Sequence, residues 1–336
     1  MATQSLAIKY RPHDWESVTE QNSIKIILQQ QLNTGTFQHA YLFCGGAGTG
    51  KTTSARIFAS NINNGKGNPI ELDAASNNSV EDVRNLIQQA KTVSIDSEYK
   101  VFILDEVHSL SNSAWQALLK LIEEPPAKSI FIFCTTDPQK IPKTILSRVQ
   151  RYDFQKISQE GIIKRLNYVI EQEGNIKDVS QDAIQLIAKL AAGGMRDALT
   201  LLDKCLSYSE ELTVDNVTKA LGMTGYEEMF KLLNSLLDKD NGSVIKCLDN
   251  VDSSGRDLKL YIKQFTTFVL DVCKYQSTNT FKYIQIPQTY SSYLNNIKVS
   301  CIDILDMLIH LNYEIKWDTQ PKAMIESCFL LSNYNR

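Results

Sequence analysis

Short apolar runs alternate with amphipathic stretches in the first half of the chain. Candidate strands lie at residues 40–44, 70–73, 101–104, 130–134 and 152–154. They are continuous Val, Ile, Leu and Phe runs, as expected for parallel strands that are buried on both faces. Helices predicted to begin near Lys51, Ser79, Ser113 and Pro142 separate them, and Ser and Pro are common helix-start residues. The pattern predicts an α/β domain with a parallel, doubly wound sheet over residues 1–157.

After residue 154 the strand pattern ends and a helical periodicity of apolar residues replaces it. Residues 158–174, 180–193, 195–207 and 213–222 each indicate one helix, which predicts a small helical domain over residues 158–222. A second all-helical block is predicted over residues 223–336, with apolar stripes that start at Leu258 and Ile302. Such stripes are typical of a plain core. Within this block, the polar residues 277–296 predict a loop.

A glycine-rich loop of the form G-x-x-x-x-G-K-[ST] lies between the first predicted strand and the helix after it. It comprises Gly45, Gly46, Ala47, Gly48, Thr49, Gly50, Lys51, Thr52 and Thr53. Glycines allow backbone N–H groups to surround phosphate oxygens, and the following helix directs its positive dipole end at the same charge. We expect Lys51 to neutralise the β/γ-phosphates and Thr52 to bind Mg²⁺. A plain strand-to-helix connection is the alternative, and the Lys-Thr pair disfavours it.

Two carboxylates directly follow the third predicted strand. We expect Asp105 to hold Mg²⁺ and Glu106 to orient and polarise an attacking water. A solvated acidic turn is the alternative, which the upstream phosphate loop disfavours. His108 stays unassigned because a lone histidine is more often structural. Thr136 follows the next strand, and it can reach the nucleotide because the carboxyl ends of parallel strands meet at one crevice.

Composition and charge narrow the range of partners. The chain has 336 residues and a net charge of −3, so any DNA contact has to come from local geometry rather than global basicity. Its seven scattered cysteines include no C-x-x-C pair, which predicts reduced thiols in a cytoplasmic protein and no bound zinc. We expect no membrane span and no secretory signal, since long apolar runs are lacking.

These motifs resemble those of the gamma/tau-type ATPase subunits of bacterial replicative clamp loaders, within the AAA+ superfamily. The matching landmarks are residues 10–12, 39–43, the phosphate loop, 71–78, 105–108, 117–126, 135–140, 147–148 and 194–199. They cover about residues 6–222, whereas the helical remainder matches only loosely. The resemblance implies an α/β P-loop NTPase domain over residues 1–157, a helical lid over 158–222 and an all-helical collar for oligomerisation over 223–336.

The resemblance also implies roles for individual residues. Thr136 matches the first sensor of the γ-phosphate, and Arg148 matches the arginine finger that reaches a neighbouring subunit's site. Arg196 matches the second sensor, although a cation there can equally pair with a nearby aspartate. The segment that packs on the adenine corresponds to Ala7, Tyr10, Arg11, Pro12 and Val18. Helix N-termini that grip DNA phosphates correspond to Ser76, Asn77, Asn78, Ser79, Ser111, Asn112 and Ser113, which are also ordinary capping residue types.

Members of this family use ATP and Mg²⁺ to open a ring-shaped sliding clamp and load it onto primer–template DNA. The resemblance therefore implies a DNA- and clamp-stimulated ATP hydrolase of the bacterial cytoplasm or of a phage-infected cell. Its partners would be the clamp, primer–template DNA and other loader subunits, either copies of itself or delta- and delta-prime-like chains, in a pentamer. Two alternatives stay open: a non-catalytic stator subunit of the same assembly, and a related AAA+ DNA motor or initiator.

The chain departs from the family pattern in two places. Residues 61–69 bridge directly to the second strand, where the family normally inserts a four-cysteine zinc module, so no zinc is expected. Val149 stands where the finger triplet usually ends in cysteine, while Arg148 is kept. The compact, zinc-free form, without a long tail after the collar, suggests a phage or a reduced genome.

Overall fold

A computed structural model describes residues 4–92, 96–174 and 176–334, without the side chains of residues 333 and 334. The elements of this part, in chain order, are α1 (Leu6–Lys9), α2 (Asn22–Thr34), β1 (Ala40–Cys44), α3 (Lys51–Ile62), β2 (Ile70–Asp73), α4 (Val80–Ala90), β3 (Lys100–Asp105), α5 (Asn112–Glu123), β4 (Ser129–Thr135), α6 (Lys143–Leu146), β5 (Gln150–Asp153), α7 (Gln159–Glu173), β6 (Lys177–Val179), α8 (Gln181–Leu190), α9 (Met195–Tyr208), β7 (Glu211–Leu212), α10 (Val214–Ala220), α11 (Tyr226–Leu237), α12 (Asn241–Ser253), α13 (Leu258–Thr278), α14 (Ser291–Asn296), α15 (Ile302–Ile315) and α16 (Pro321–Tyr334). Short 3-10 turns lie at Val107–Ser109, Pro138–Lys140, Phe281–Tyr283 and Gln288–Tyr290.

The chain forms two compact units. The first comprises Met1–Val169 and Ala191–Thr200, and the second comprises Ile170–Leu190 and Leu201–Arg336. This division assigns most of α7 and the start of α9 to the first unit, together with the sheet. The three-domain organisation predicted from the sequence, with boundaries after residues 157 and 222, therefore stays a prediction.

The first unit contains a five-stranded parallel sheet in the order β2-β3-β4-β1-β5. Its strands are apolar throughout because both faces are covered. Along β1, Leu42 and Cys44 join the core on one face, while Tyr41 and Phe43 join the core on the other. The predicted parallel α/β fold is confirmed, and β1, β3 and β4 end side by side at the edge where the phosphate loop begins.

Capping residues set the starts of two helices at this edge. Ser79 caps α4, since its hydroxyl accepts from the backbone N–H of Asp82 while the Asp82 carboxylate accepts from the Ser79 N–H. Ser111 caps α5 by accepting from the N–H of Ala114, so this helix begins at Asn112. The backbone N–H of Ser111 also donates to the carbonyl of Asn78 at 3.2 Å, which joins the two capping segments.

The structure differs from the sequence-based elements in three places. Helix α2 was not predicted, because its polar Gln-rich stretch buries only Ile24 and Leu28. The second unit contains a parallel pair of very short strands, β6 and β7, where only helices were expected. The expected loop at residues 277–296 includes two 3-10 turns and α14. Each of these elements is stabilised by tertiary packing rather than by a strong local pattern.

The second unit is helical apart from the β6–β7 pair. Its core includes Ile262, Phe265 and Val269 of the long helix α13, so the apolar stripe of that helix is core as predicted. The buried Asp271 carboxylate accepts from the backbone N–H of Gln285 at 2.6 Å, which fixes the segment after α13. None of the helices in residues 4–92, 96–174 and 176–334 combines the length and apolar character that a bilayer crossing requires.

Candidate functional site

The glycine-rich loop follows β1 and leads directly into α3, as the sequence motif predicts. Gly45 and Gly48 have φ of +150° and +68°, a region that side chains with a Cβ rarely adopt. A Cβ on Gly45 would lie 2.5 Å from the carbonyl oxygen of Phe154, and a Cβ on Gly48 would lie 3.0 Å from the Cα of Gly194. Glycine is therefore required at both positions for the loop to pass so close to neighbouring backbone.

Lys51 is the buried cation of this loop, with 5% of the residue exposed. Its Nζ donates to the carbonyl oxygens of Gly45 and Gly46, both at 2.8 Å. Burial lowers the pKa of Lys51, and the nearby Glu106 carboxylate opposes that shift. The ammonium group is therefore held inside the loop, where phosphate oxygens would be bound.

A hydroxyl and a carboxylate meet beside this lysine. Thr52 Oγ1, in the first turn of α3, donates to Asp105 Oδ2, at the end of β3, at 2.7 Å. Oxygen ligands of this kind suit Mg²⁺, which typically keeps several waters and substrate phosphates in its coordination shell. Within the described ranges, no group of three or more His, Cys, Asp or Glu side chains is placed to hold a metal ion. The hydroxyl oxygen of Thr52 and the carboxylate of Asp105 are the donor types that such a Mg²⁺ site uses.

Glu106 and Thr136 come together at the same edge of the sheet. Thr136 Oγ1 donates to Glu106 Oε2 at 2.9 Å, and the Thr136 backbone N–H lies 3.4 Å from the same oxygen. His108 Nδ1 lies 3.2 Å from that oxygen too. Two residues predicted to act on the γ-phosphate and its water are thus in direct contact, together with the histidine that the sequence left unassigned.

A pocket of about 870 Å³, counted with its open mouth, lies in the first unit. The predicted site residues that line it are Ala7, Tyr10, Arg11, Pro12, Val18, Ala47, Gly48, Thr49, Gly50, Lys51, Thr52, Thr53, Asp105, Glu106 and Arg196. Residues from both ends of this unit and from its middle thus surround one open pocket.

Cationic side chains gather around the pocket. Burial lowers the pKa of Arg11, and the guanidinium groups of Arg56 and Arg196 lower it further. Arg196 lies at the start of α9, and the backbone N–H of the preceding Met195 donates to the carbonyl of Gly48 at 2.9 Å. The segment that carries Arg196 is therefore hydrogen-bonded to the glycine-rich loop, with its cation at the pocket.

Arg165 lines the pocket as well, although no sequence signal pointed to it. Its Nη2 donates to the carbonyl oxygen of Tyr10 at 2.9 Å, and its guanidinium lies 4.9 Å from the ring centre of Tyr168. The rings of Tyr10 and Tyr168 meet edge to face, with centres 6.4 Å apart. Arg165 thereby ties the N-terminal segment to α7, a contact between residues 155 positions apart in the chain.

Arg148 does not line the pocket of its own chain. Its side chain is 40% exposed and forms an ion pair with Glu123, with Nη2 2.8 Å from Oε1. Its Nη1 donates to the carbonyl of Thr144 at 2.8 Å. Arg148 therefore lies on the surface of the first unit.

The serine and asparagine clusters serve as caps and turns. Ser79 and Ser111 are the N-caps of α4 and α5, and Ser113 Oγ lies 3.1 Å from Ser111 Oγ. Asn77 Nδ2 donates to the carbonyl of Asp73, and Ser76 Oγ donates to its carboxylate. The backbone hydrogen bond from Ser111 to Asn78 brings the two clusters together. Capping is thus their visible role, and DNA binding by Ser76, Asn77, Asn78, Ser79, Ser111, Asn112 and Ser113 stays a prediction.

Comparisons with known families and proteins identify relatives of this chain. The family described as DNA polymerase III, delta subunit, matches residues 62–158, and the ATPase lid domain of the DNA polymerase III clamp loader subunit matches residues 161–211. The DNA polymerase III subunit gamma of Buchnera aphidicola (from Acyrthosiphon pisum) is 31% identical over 98% of each chain. The chain belongs to the DNA polymerase III gamma/tau family. The sequence-based resemblance is thus confirmed.

Other relatives are longer than this chain. The subunit tau of Bacillus subtilis is 35% identical, and the match covers 97% of this chain and 62% of that protein. The subunit gamma/tau of Mycoplasma genitalium is 33% identical over 80% of this chain and 48% of its own length. The chain therefore spans about half to two thirds of these two relatives.

Solved structures support the fold. The Holliday junction branch migration motor RuvB of Thermotoga maritima superposes with a TM-score of 0.54 at 17% identity, covering 74% of this chain and 86% of that one. At this identity the likeness concerns the fold alone. The fold is that of an AAA+ P-loop ATPase, with a helical lid and a helical C-terminal region.

Proposed function

We propose that this chain is the ATPase subunit of a sliding-clamp loader, which uses ATP binding and hydrolysis to open a ring clamp and load it onto primer–template DNA. The observation that carries the proposal is that Lys51, the Thr52–Asp105 pair and Glu106 line one pocket, with Thr136 hydrogen-bonded to Glu106 beside it. Membership of the gamma/tau family supports it over other ATPases of this fold.

Each residue of the pocket has a distinct task in the proposal. Lys51 leaves the loop carbonyls and neutralises the β/γ-phosphates of ATP. Thr52 and Asp105 hold Mg²⁺, which supplies charge neutralisation on the phosphates when bound. Glu106 accepts the proton of the attacking water, while Thr136 contacts the γ-phosphate and Arg196 contacts phosphate from the lid. The segment from Ala7 to Val18, held by Arg165, packs on the adenine.

The proposed partners follow from surface features and from the family. Helices α4 and α5 present neighbouring N-termini, which bind phosphate without requiring a basic protein. In the second unit, Ile309, Tyr313 and Trp317 are large and exposed, which supports subunit contacts by the proposed collar. We propose a pentamer of this chain, alone or with delta- and delta-prime-like subunits, acting in the cytoplasm. The lid and collar boundaries proposed are those predicted from the sequence.

Stimulated ATP turnover distinguishes this proposal from its two rivals. We expect ATP hydrolysis to rise when the sliding clamp of the source organism and primed DNA are both present. A stator subunit would show no turnover by its own site. A branch-migration motor or initiator would respond to DNA without requiring the clamp.

Replacing Glu106 with glutamine tests the assignment of the base. We expect kcat for ATP to fall by about 10²–10⁴-fold, the usual range for a general base, because the amide cannot accept the water proton. ATP binding and Mg²⁺ binding by Asp105 should persist, so the variant should trap clamp and DNA. The exposed Glu227→Gln is the matched control. Wild-type turnover in Glu106→Gln would contradict the assignment.

Zinc content is a separate prediction. Cys44, Cys134 and four further cysteines are buried, and Cys328 is half-buried. Burial raises the pKa of the Cys44 thiol to about 11, which disfavours the thiolate that zinc requires. We expect elemental analysis of the purified chain to give substoichiometric zinc, and chelators to leave the melting temperature unchanged. One tightly bound zinc per chain would contradict this prediction.

A further inference from the structure

His108 contacts the proposed catalytic carboxylate, yet neither the motifs nor the family comparisons give it a role. It lies on the 3-10 turn Val107–Ser109, directly after Glu106, and its side chain is 20% exposed. Its Nδ1 lies 3.2 Å from Glu106 Oε2 and 3.3 Å from Thr135 Oγ1. The ring therefore lies between the end of β3 and the end of β4.

The contact with Glu106 determines which ring nitrogen carries the proton. Ionised carboxylate oxygens only accept hydrogen bonds, so an attractive contact requires the hydrogen on Nδ1. Thr135 Oγ1 already accepts from the backbone N–H of Asp137 at 3.1 Å. The Thr135 hydroxyl can both donate and accept, so its contact with Nδ1 is compatible with either tautomer. With the hydrogen on Nδ1, the imidazole donates to Glu106 Oε2, and this is the tautomer that makes the contact with the carboxylate attractive.

Two side-chain donors converge on a single oxygen of Glu106. The residue adopts φ of +49°, a strained region for a non-glycine residue, and neighbouring contacts have to hold it there. Thr136 Oγ1 and His108 Nδ1 both bind Oε2, which fixes the plane of the carboxylate. In the proposed function the Thr136 hydroxyl turns to the γ-phosphate once ATP is bound. His108 then stays as the side-chain donor on Oε2.

We propose that His108 is a positioning residue for Glu106 in ATP hydrolysis, an inference that rests on the proposed function. Its Nδ1–H holds Oε2, so that Oε1 faces the attacking water. The water oxygen forms the bond to the γ-phosphorus, the bond between that phosphorus and the ADP oxygen breaks, and Glu106 accepts the water proton. His108 keeps its own proton throughout and touches no substrate.

A pair of amide variants tests this role. The amide nitrogen of asparagine is as many bonds from Cβ as Nδ1, whereas that of glutamine corresponds to Nε2. We expect His108→Asn to keep kcat within about threefold of wild type, because its donor is retained. His108→Gln and His108→Ala should lower kcat by roughly 10–100-fold, the range for lost supporting partners of functional groups. The Kd for ATP should change in none of them.

A double variant and a control separate positioning from folding. Because His108 acts through Glu106, adding His108→Gln to Glu106→Gln should lower kcat no further. His310→Gln, at an exposed histidine that is 3.8 Å from Asp306, controls for the substitution itself. Thermal unfolding of each variant shows whether it is folded.

The outcomes are distinguishable. Wild-type kcat in His108→Gln, equal losses in the asparagine and glutamine variants, or an additional loss in the double variant would each overturn the role of His108 and leave the proposed function standing. A wild-type chain without ATP turnover in the presence of clamp, DNA and partner subunits would overturn the proposed function, and the role of His108 with it.

Discussion

Lys51→Ala is expected to abolish ATP turnover and to weaken nucleotide binding. The substitution removes the only charge that the glycine-rich loop itself carries, which lies inside the loop and bonds to the carbonyls of Gly45 and Gly46. Removing one hydrogen-bond donor that stabilises negative charge in a transition state typically lowers the rate by about 10²–10³-fold. In the proposed function Lys51 faces a triphosphate, which carries several negative charges. We expect a loss of at least that size, measured as ATP hydrolysis in the presence of clamp and primed DNA.

Binding measurements make this test specific. The Kd for a slowly hydrolysed ATP analogue should rise in Lys51→Ala, and thermal unfolding without nucleotide shows whether the variant is folded. Lys66→Ala is the matched control, since Lys66 is exposed in the segment after α3. Normal stimulated turnover in Lys51→Ala would contradict the site assignment as a whole.

Arg148→Ala is expected to bind ATP normally and yet to fail in stimulated hydrolysis. The side chain lies outside the pocket of its own chain, paired with Glu123 on the surface. An exposed pair of this kind contributes about 0.2–1 kcal/mol to stability, so the variant should fold. Arginine fingers contribute on the order of 10³–10⁵ in rate where they act on the phosphoryl group. The observed loss can be smaller here if clamp opening or product release limits turnover.

Mixing experiments test whether Arg148 acts on a neighbouring subunit. In complexes that combine Arg148→Ala and Lys51→Ala subunits, an intact site forms wherever a subunit with Lys51 meets a neighbour with Arg148. Part of the DNA-stimulated ATPase activity that each variant alone has lost should therefore return on mixing. Recovery in proportion to the fraction of such junctions would support action in trans.

Arg151→Ala is the matched control for this experiment. Arg151 is 44% exposed and pairs with Asp153 in its own chain, so it resembles Arg148 in exposure and pairing. The Arg151→Ala variant should hydrolyse ATP at the wild-type rate. Two results would contradict the finger assignment: normal stimulated turnover by Arg148→Ala alone, or mixed complexes that form without any recovery of activity.

The sequence by itself determined the class of fold and the centre of the site. Apolar runs that end in the glycine-rich loop, in Asp105-Glu106 and in Thr135-Thr136 predicted a parallel sheet whose strand ends meet. This was possible because the strand, the loop and the start of the following helix are contiguous in the chain. The residues that bind phosphate are therefore neighbours in the sequence and form a recognisable motif. The carboxyl ends of parallel strands lie at the same edge of the sheet, so the residues that follow each strand come close together.

Only the tertiary structure decided which residues far apart in the chain contact one another. The contact of His108 with Thr135, the hydrogen bond from Arg165 to Tyr10 and the β6–β7 pair join residues whose sequence neighbourhoods carry no matching pattern. Single polar side chains have no periodicity, and their partners depend on how separate elements pack. Helix α2 and the short elements within residues 277–296 were missed because their local patterns are weak. In the second case a tertiary contact, the hydrogen bond from the Gln285 N–H to Asp271, holds the segment.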